Sequence, residues 1–535
     1  MSKHLDQEAD RSVNDELDTL LNDVLTRHVE PEDFYEIAAI LESEGFNDVR
    51  VMERFGYFSV FDLSRELWNR HYLNVSLLAK AEPEKVSLYR MITDDLRQFT
   101  RGTIFALPMV LSIVAMLSIK FSLWSYINLS IAYATAIAIG TFLSFATVGG
   151  FMQSIARRSY LYVTLGYYKM ARKVTYQLIR YGFIMSILVT VAYIAFNLMT
   201  NIMTPVMMFL SISYYLVMNA IWLAVTAMYV LRKELIFTGL IVVGIGLVYL
   251  FFVIFHIYII YAQLIAMLII SAVSLLIVWR LFKNLERLEE PGTLSQPTKT
   301  SIAVYSIWPY FVYGSVYFMF LFIDRIMSWS TNETYMPFYI WFRTRYELGL
   351  DFALFTMVIP MGIAEVVITR MMRKVEWSQK NYLLHNIQEM NHTFRNDFFR
   401  LYRIMVVVSV LSAIAIYLLV NWLTFHLPDA YSEQVFGEIR TYIVFYIALL
   451  SYAIVSVSLL NSVVMFSLSE PMYALRATLN ALGIDALVGF VFSRWLGSDF
   501  AVVGLLVGSI LFLLMTTKAV YKVLGQLDYY LYQIS

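Results

Sequence analysis

The 535-residue chain contains no cysteine, and only 15% of its residues are charged. Without Cys there are no disulfides and no thiolate metal sites. A soluble protein of ordinary composition is about 25% charged and about 45–50% apolar, whereas 59% of this chain is hydrophobic. Polar linkers are missing as well. None divides residues 102–523, although a soluble chain of this length would be expected to split into several domains. These absences exclude a secreted disulfide scaffold, a disordered chain and a soluble enzyme. Nucleotide-cradling Gly-x-x-x-x-Gly-Lys-Ser/Thr and metalloprotease His-Glu-x-x-His motifs are also absent, and the seven His residues have no ligand spacing. No cofactor, metal or nucleic-acid partner is expected.

What is present is a polytopic membrane protein. About 20 apolar residues cross a bilayer as helix, and twelve stretches qualify: 102–124, 127–150, 181–201, 206–231, 235–256, 258–279, 302–328, 349–371, 404–425, 441–468, 474–495 and 499–523. The near-continuous run 235–279 is divided at His256-Ile257-Tyr258, because as one helix it would be about 67 Å long. Arg157, Arg158, Lys169, Arg172, Lys173 and Arg180 follow the second span. Arg232 and Lys233 follow the fourth, Arg280, Lys283, Arg287 and Lys299 the sixth, and Arg373, Lys374, Lys380, Arg395, Arg400 and Arg403 the eighth. If the spans alternate, all lie on one side, which the positive-inside rule makes cytoplasmic. Both termini are then cytoplasmic, in a cell (cytoplasmic) membrane.

The net charge of zero conceals an uneven distribution: residues 1–100 hold 21 of the 40 acids but 11 of the 40 bases. They begin with no basic-then-apolar signal sequence. The expected organisation is an acidic helical cytoplasmic region (1–100), a first six-helix bundle (101–280), a cytoplasmic linker (281–301), and a second bundle with a short tail (302–535). In the first region Leu17, Leu20, Leu21, Val24 and Leu25 form one amphipathic face. Further helices are expected over Glu32–Glu44, ended by Gly45, and near Asp62–Trp68, and Leu88–Thr100 suits a membrane surface. Pro108 and Pro309 stand at similar depths in the first and seventh spans and are candidate helix bends.

A charge at mid-span costs on the order of 2.5–3.5 kcal/mol to insert, so such residues are functional candidates. At 100° per residue, Tyr310, Tyr313, Tyr317, Phe320 and Asp324 share one face of the seventh span. They either line a transport path or sit in an interfacial aromatic belt. Arg325 points about 100° away from Asp324 and cannot pair with it side by side. Asp351, Phe355, Val358, Gly362, Glu365 and Thr369 form a second stripe, with Asp351 at the outer mouth and Glu365 deeper. Asp485 in the eleventh span is a third carboxylate. If coupling to protons or sodium exists, Asp324, Glu365 or Asp485 would carry it. The outer loop Trp329–Gly349 has aromatics Trp329, Tyr335, Phe338, Tyr339, Trp341, Phe342 and Tyr346 with Arg343 and Arg345. It suits sugar stacking and anion binding, or alternatively a membrane-interface belt.

The stretch from Tyr313-Gly314 through Phe320-Leu321-Phe322-Ile323-Asp324-Arg325-Ile326-Met327-Ser328-Trp329, with Phe342-Arg343-Thr344-Arg345-Tyr346-Glu347-Leu348-Gly349-Leu350-Asp351, resembles PelG-type exopolysaccharide exporters. These belong to the multidrug/oligosaccharidyl-lipid/polysaccharide (MOP) flippase superfamily. The resemblance spans about 100–535 and implies an all-α fold of two six-helix bundles in a V. It also implies a non-enzymatic exporter of a hexosamine-rich polymer, working beside a cytoplasmic glycosyltransferase and other export-complex subunits in biofilm formation. Asp324, Arg325, Arg343, Arg345, Glu347 and Asp351 fall within the matching motif. The acidic N-terminal region departs from a minimal member and suits partner docking. Other readings are a lipid-linked oligosaccharide flippase, a membrane glycosyltransferase, and a scaffold for a synthase complex.

Overall fold

The computed structural model describes residues 16–25, 33–79, 88–287, 300–331, 339–381, 387–426 and 438–534. The chain divides into two compact units, one of residues 1–88 with 374–387, the other of 89–373 and 388–535.

The first unit holds four described helices: α1 (16–25), α2 (Phe34–Ser43), α3 (Asp48–Phe55) and α4 (Val60–Ala79). Leu17, Leu21 and Val24 are buried against Ile37, Leu41, Val51, Leu63 and Leu67. Local chemistry sets the helix ends. The Asp33 and Asn47 side chains accept from the Glu36 and Arg50 amides at 2.9 Å, and Ser59 caps Asp62, each filling an otherwise unsatisfied first-turn donor. The sequence pattern missed α3 as a separate helix, because its eight residues are too few for a periodicity to stand out.

Among the described residues of the second unit eleven helices are long and apolar enough to cross a membrane, and a bent pair taken as one span brings the number to twelve. In order they are α5 (Leu88–Ile119), α6 (Ile131–Thr164), α7 (Tyr168–Thr200), α8 (Pro205–Val230), α9 (Glu234–Tyr249, continued by a π turn to Ile254) and α10 (Ile259–Glu286). After them come α11 (Thr300–Trp329), α12 (Thr344–Leu354) with α13 (Val358–Asn381) as one span, α14 (Ile387–His426), α15 (Ile439–Ser467), α16 (Pro471–Trp495) and α17 (Val502–Gly525). A short α18 (Leu527–Ile534) ends the chain. The break expected at His256 is present, with that residue at a φ of 55°. The basic segment that follows the second span is largely helical: α6 continues to Thr164 and α7 starts at Tyr168, so a tight turn joins two helices that outrun the apolar stretch. Hydropathy marks where lipid ends, not where the hydrogen-bonded helix ends.

Two prolines interrupt spans at matching places. The α5 axis turns by 53° between 104 and 106, at the residue whose carbonyl Pro108 leaves without an amide partner. Pro360 does the same to Thr356. A 3-10 turn, Phe355–Met357, lies there, and the Ser412 hydroxyl donates to the freed Thr356 carbonyl at 2.8 Å, as hydrocarbon requires. Pro309 sits within α11, which runs as one helix from Thr300 to Trp329.

The six-plus-six repeat shows in burial. The fourth helix of each half, α8 and α15, is the most enclosed, with 61% of its apolar window buried, and the third, α7 and α14, the least, at 17% and 22%. The halves meet at two crossings of the same kind. On α6 and α11, Phe142 faces Phe322, Phe145 faces Phe318, and Phe151 faces Phe311. Between them Gly149 lies on Gly314, so close that a Cβ at 314 would stand 2.2 Å from the Gly149 carbonyl oxygen. On α5 and α13, a Cβ at Gly102 would stand 2.6 Å from the Met361 oxygen and 2.9 Å from the Gly362 Cα. First span against eighth thus mirrors seventh against second, as a twofold relation between halves demands.

Gly314→Val should therefore lower the thermal midpoint of the detergent-solubilised protein, by overpacking worth about 1–3 kcal/mol or more. Gly483→Ala, whose added methyl meets nothing within 4 Å, should leave the midpoint unchanged or slightly raised.

Candidate functional site

Five charged side chains are buried among the described residues: Asp324, Arg325, Glu347, Asp485 and Asp499. All lie in the second bundle. In the first, the buried polar groups are neutral; some of them pair, while the Ser144 and Ser274 hydroxyls and the Asn219 side-chain oxygen have no hydrogen-bond partner. Tyr214 donates to the Gln263 carbonyl oxygen at 2.8 Å, and the Gln263 amide donates to the Ser122 and Ser125 carbonyls.

The charged cluster is assembled by α11 and α12. The α11 face of Tyr310, Tyr313, Tyr317, Phe320 and Asp324 is buried throughout. It turns into its own bundle: Tyr313 stacks on Tyr317 at 5.7 Å and meets Phe466 of α15 edge-on at 4.6 Å, and Phe320 meets Phe512 of α17. The phenol stripe is thus turned toward α15, while Phe311, Gly314, Phe318 and Phe322 face the other half.

At the end of this stripe Asp324 accepts from the Tyr346 hydroxyl at 2.7 Å, and its second oxygen has no hydrogen-bond partner. Arg325, one residue on, points elsewhere, as helix geometry requires. It pairs with Glu347, lies 3.5 Å from Asp351 and sits over the Phe322 ring. The other Glu347 oxygen accepts from the Trp329 indole at 2.9 Å. Asp351, with a side chain 35% exposed, stands at the edge of the cluster.

Asp485 of α16 is wholly buried, and neither carboxyl oxygen has a hydrogen-bond partner. It is pressed against α17 at Gly504-Leu505-Leu506-Val507-Gly508: a Cβ at 504 would come within 2.6 Å of its Oδ1, and one at 508 within 3.0 Å of its Cβ. Asp324 is near enough to act on it electrostatically. Arg325 thus pairs with Glu347 and Asp351, and Asp324 stands beside them, while Asp485 has no such cation beside it in the described contacts. A carboxylate enclosed in low dielectric without hydrogen bonds is tolerated when a proton or a cation accompanies it. The arrangement can thus take up positive charge. No group of three or more His, Asp or Glu residues with metal-binding geometry occurs among the described residues.

Glu365 lies apart. It is half-buried on α13 beside Gly102, within reach of the charges of Arg101, Glu234 and Arg232, of which Arg101 and Glu234 pair at 3.1 Å. A 3-10 turn, Phe355–Met357, lies between it and Asp351, the two ends of the stripe expected from the sequence. Arg343 secures a helix end, donating to the Ser328 and Thr331 carbonyls at 3.0 and 2.8 Å. Arg345 forms a solvent-exposed pair with Glu438. Of the aromatic loop, Tyr335 and Phe338 lie outside the described residues, Tyr339 is 76% exposed, and Trp329 and Tyr346 are buried partners of the carboxylates. The roles of Trp329 and Tyr346 escaped the sequence reading. So did the Gly504-x-x-x-Gly508 spacing, which signals close helix approach.

Glu347→Gln leaves the Arg325 charge without its principal partner, and stability should fall by about 3–5 kcal/mol. In the Arg325→Met, Glu347→Leu double variant most of that loss should be recovered, as read from thermal unfolding in detergent.

No known family profile matches the sequence, and no curated protein sequence matches it. Solved structures do. The Vibrio cholerae MATE transporter VcmN in its bent form superposes with a TM-score of 0.52 at 14% identity, covering 82% of this chain and 99% of that one. A MATE in the straight conformation gives 0.53 at 15% identity, covering 80% and 95%. An outward-facing multidrug resistance MATE family transporter of the MOP superfamily gives 0.54 at 12%, covering 81% and 97%. The chain accordingly has a two-bundle, MATE-like fold.

Proposed function

We propose that the protein is a cytoplasmic-membrane exporter of an exopolysaccharide or lipid-linked glycan, working by movement of its two bundles about the α5–α13 and α6–α11 crossings. The observation that carries the reading is the surplus of buried carboxyl groups in the second bundle, above all Asp485, which has no hydrogen-bond partner. Such groups cost free energy in a membrane protein and mark ion or substrate paths. Asp324 and Asp485 exchange a proton or cation as the bundles move, and Glu365, by the basic ends of the helices, responds to the same movement.

A hexosamine-rich polymer as substrate rests on the resemblance of the α11–α12 region to PelG-type exporters. The aromatic and Arg-bearing segment leading into α12 agrees with it. Both termini are cytoplasmic in this scheme, since the basic helix ends mark that side. The acidic N-terminal unit, with its own core, docks the glycosyltransferase that feeds the exporter.

The test is polymer export in cells whose only copy of the gene carries Asp324→Asn, Glu365→Gln or Asp485→Asn. Secreted polymer would be measured with a hexosamine-binding lectin, and membrane insertion by immunoblot. Asp485→Asn should reduce secretion at least about tenfold, a loss of 1.4 kcal/mol or more in the limiting step, with insertion unchanged. Normal secretion by all three variants would overturn the assignment of these carboxylates.

A further inference from the structure

At the basic end of the bundles the two halves are joined by arginines. Arg157, near the end of α6, reaches into the second half. Its Nη2 donates to the Ser469 hydroxyl at 2.7 Å, and its guanidinium lies 5.3 Å from the centre of the Tyr310 ring of α11. Ser469 sits in the turn from α15 to α16, at a φ of 57°, and Tyr310 packs on Phe466 of α15. One arginine of the first half thus holds two elements of the second. At the other crossing the direction is reversed. Arg370 of α13 donates from Nε to one Asp95 oxygen at 3.1 Å and from Nη2 to the other. Three residues on, Arg373 pairs with Asp94 at 3.4 Å. Both acids belong to α5.

At the opposite end the halves meet through neutral groups: the Phe342 amide donates to the Thr135 hydroxyl at 3.0 Å, and Phe142 faces Phe322. Ion pairs respond to ionic strength, whereas neutral contacts do so far less. The pairs at the basic end are also open to water. Arg370 and Asp95 are 44% and 26% exposed, and Arg373 and Asp94 are 59% and 48% exposed. Exposure keeps each pair weak. Contacts of that strength favour one arrangement without fixing it, as an equilibrium between two states of similar free energy requires.

We propose that Arg157–Ser469, Arg370–Asp95 and Arg373–Asp94 form a latch that must part before the basic end of the bundles can open. The latch rests on the bundle movement proposed above and supplies the contacts that govern it. Arg157 holds the α6–α11 side and Arg370 with Arg373 the α5–α13 side, so both edges release together.

With no native cysteine, spin labels can be placed without background. In the full-length protein, reconstituted into liposomes, a nitroxide pair at Thr164→Cys and Lys518→Cys reports on the basic end. A second pair at Ile131→Cys and Trp495→Cys reports on the other end, and distances are read by double electron–electron resonance. In the Arg157→Gln, Arg370→Gln, Arg373→Gln triple variant the longer-distance population at the basic end should rise at least about threefold, while the other end closes. Raising sodium chloride from about 0.05 M to about 0.5 M should shift the latch-intact protein the same way, and the triple variant much less. The salt arm leaves every arginine in place, so it decides the matter even where the triple variant does not fold. Unchanged basic-end distances in either arm would overturn the latch. So would lengthening there with no change at the other end, which means fraying helix ends rather than parting halves. No glycan enters the measurement, so the latch can fail while the assignment of the carboxylates stands.

Discussion

A polar group in hydrocarbon has no water to fall back on, and the second bundle is organised around that fact. Arg325 could not remain alone at its depth, and Glu347 and Asp351 are brought to it by the short helix that follows the loop. The placing of α12 against α11 is in this sense an electrostatic event: remove the guanidinium and two carboxyl groups lose their counter-charge. Trp329 and Tyr346 complete the arrangement from the same two helices, one donating to Glu347 and the other to Asp324. What this network leaves over is more informative than what it satisfies. One oxygen of Asp324 and both of Asp485 have no hydrogen-bond partner, and retaining such groups is costly unless they have work to do.

The two bundles handle polarity differently. The first holds its segments with neutral hydrogen bonds, such as the Tyr214–Gln263–Ser122 chain that ties the 120–127 segment to α8 and α10. Neutral groups in lipid can be fully paired at little cost and are insensitive to pH. The second uses charge, which responds to ions, to protons and to the distance between partners.

Between them the seam is made of glycine and aromatic rings. Backbones touch at Gly149–Gly314 and at Gly102–Gly362, with the Phe318 ring and Gln153 closing on the first contact and Phe99 and Thr103 on the second. The rings above and below, from Phe142 against Phe322 to Phe151 against Phe311, keep the register while presenting smooth surfaces.

The sequence alone determined the number of spans, their order, and the shared face of Tyr310, Tyr313, Tyr317, Phe320 and Asp324. Each of these follows from a local rule: an apolar length that matches a bilayer, or a rotation of 100° per residue. The divergence of Asp324 from Arg325 was legible for the same reason. Tertiary structure alone decided which neighbour each face would meet. The tyrosine stripe turns inward toward α15, Arg343 spends its charge on a helix end, and Arg325 finds Glu347 22 residues away. Pro360 rather than Pro309 marks a break, because the consequence of a lost amide depends on whether a partner such as Ser412 stands by the freed carbonyl. A periodicity fixes direction within one helix. Pairing depends on how helices far apart in sequence are packed, and no single stretch of this chain contains that information.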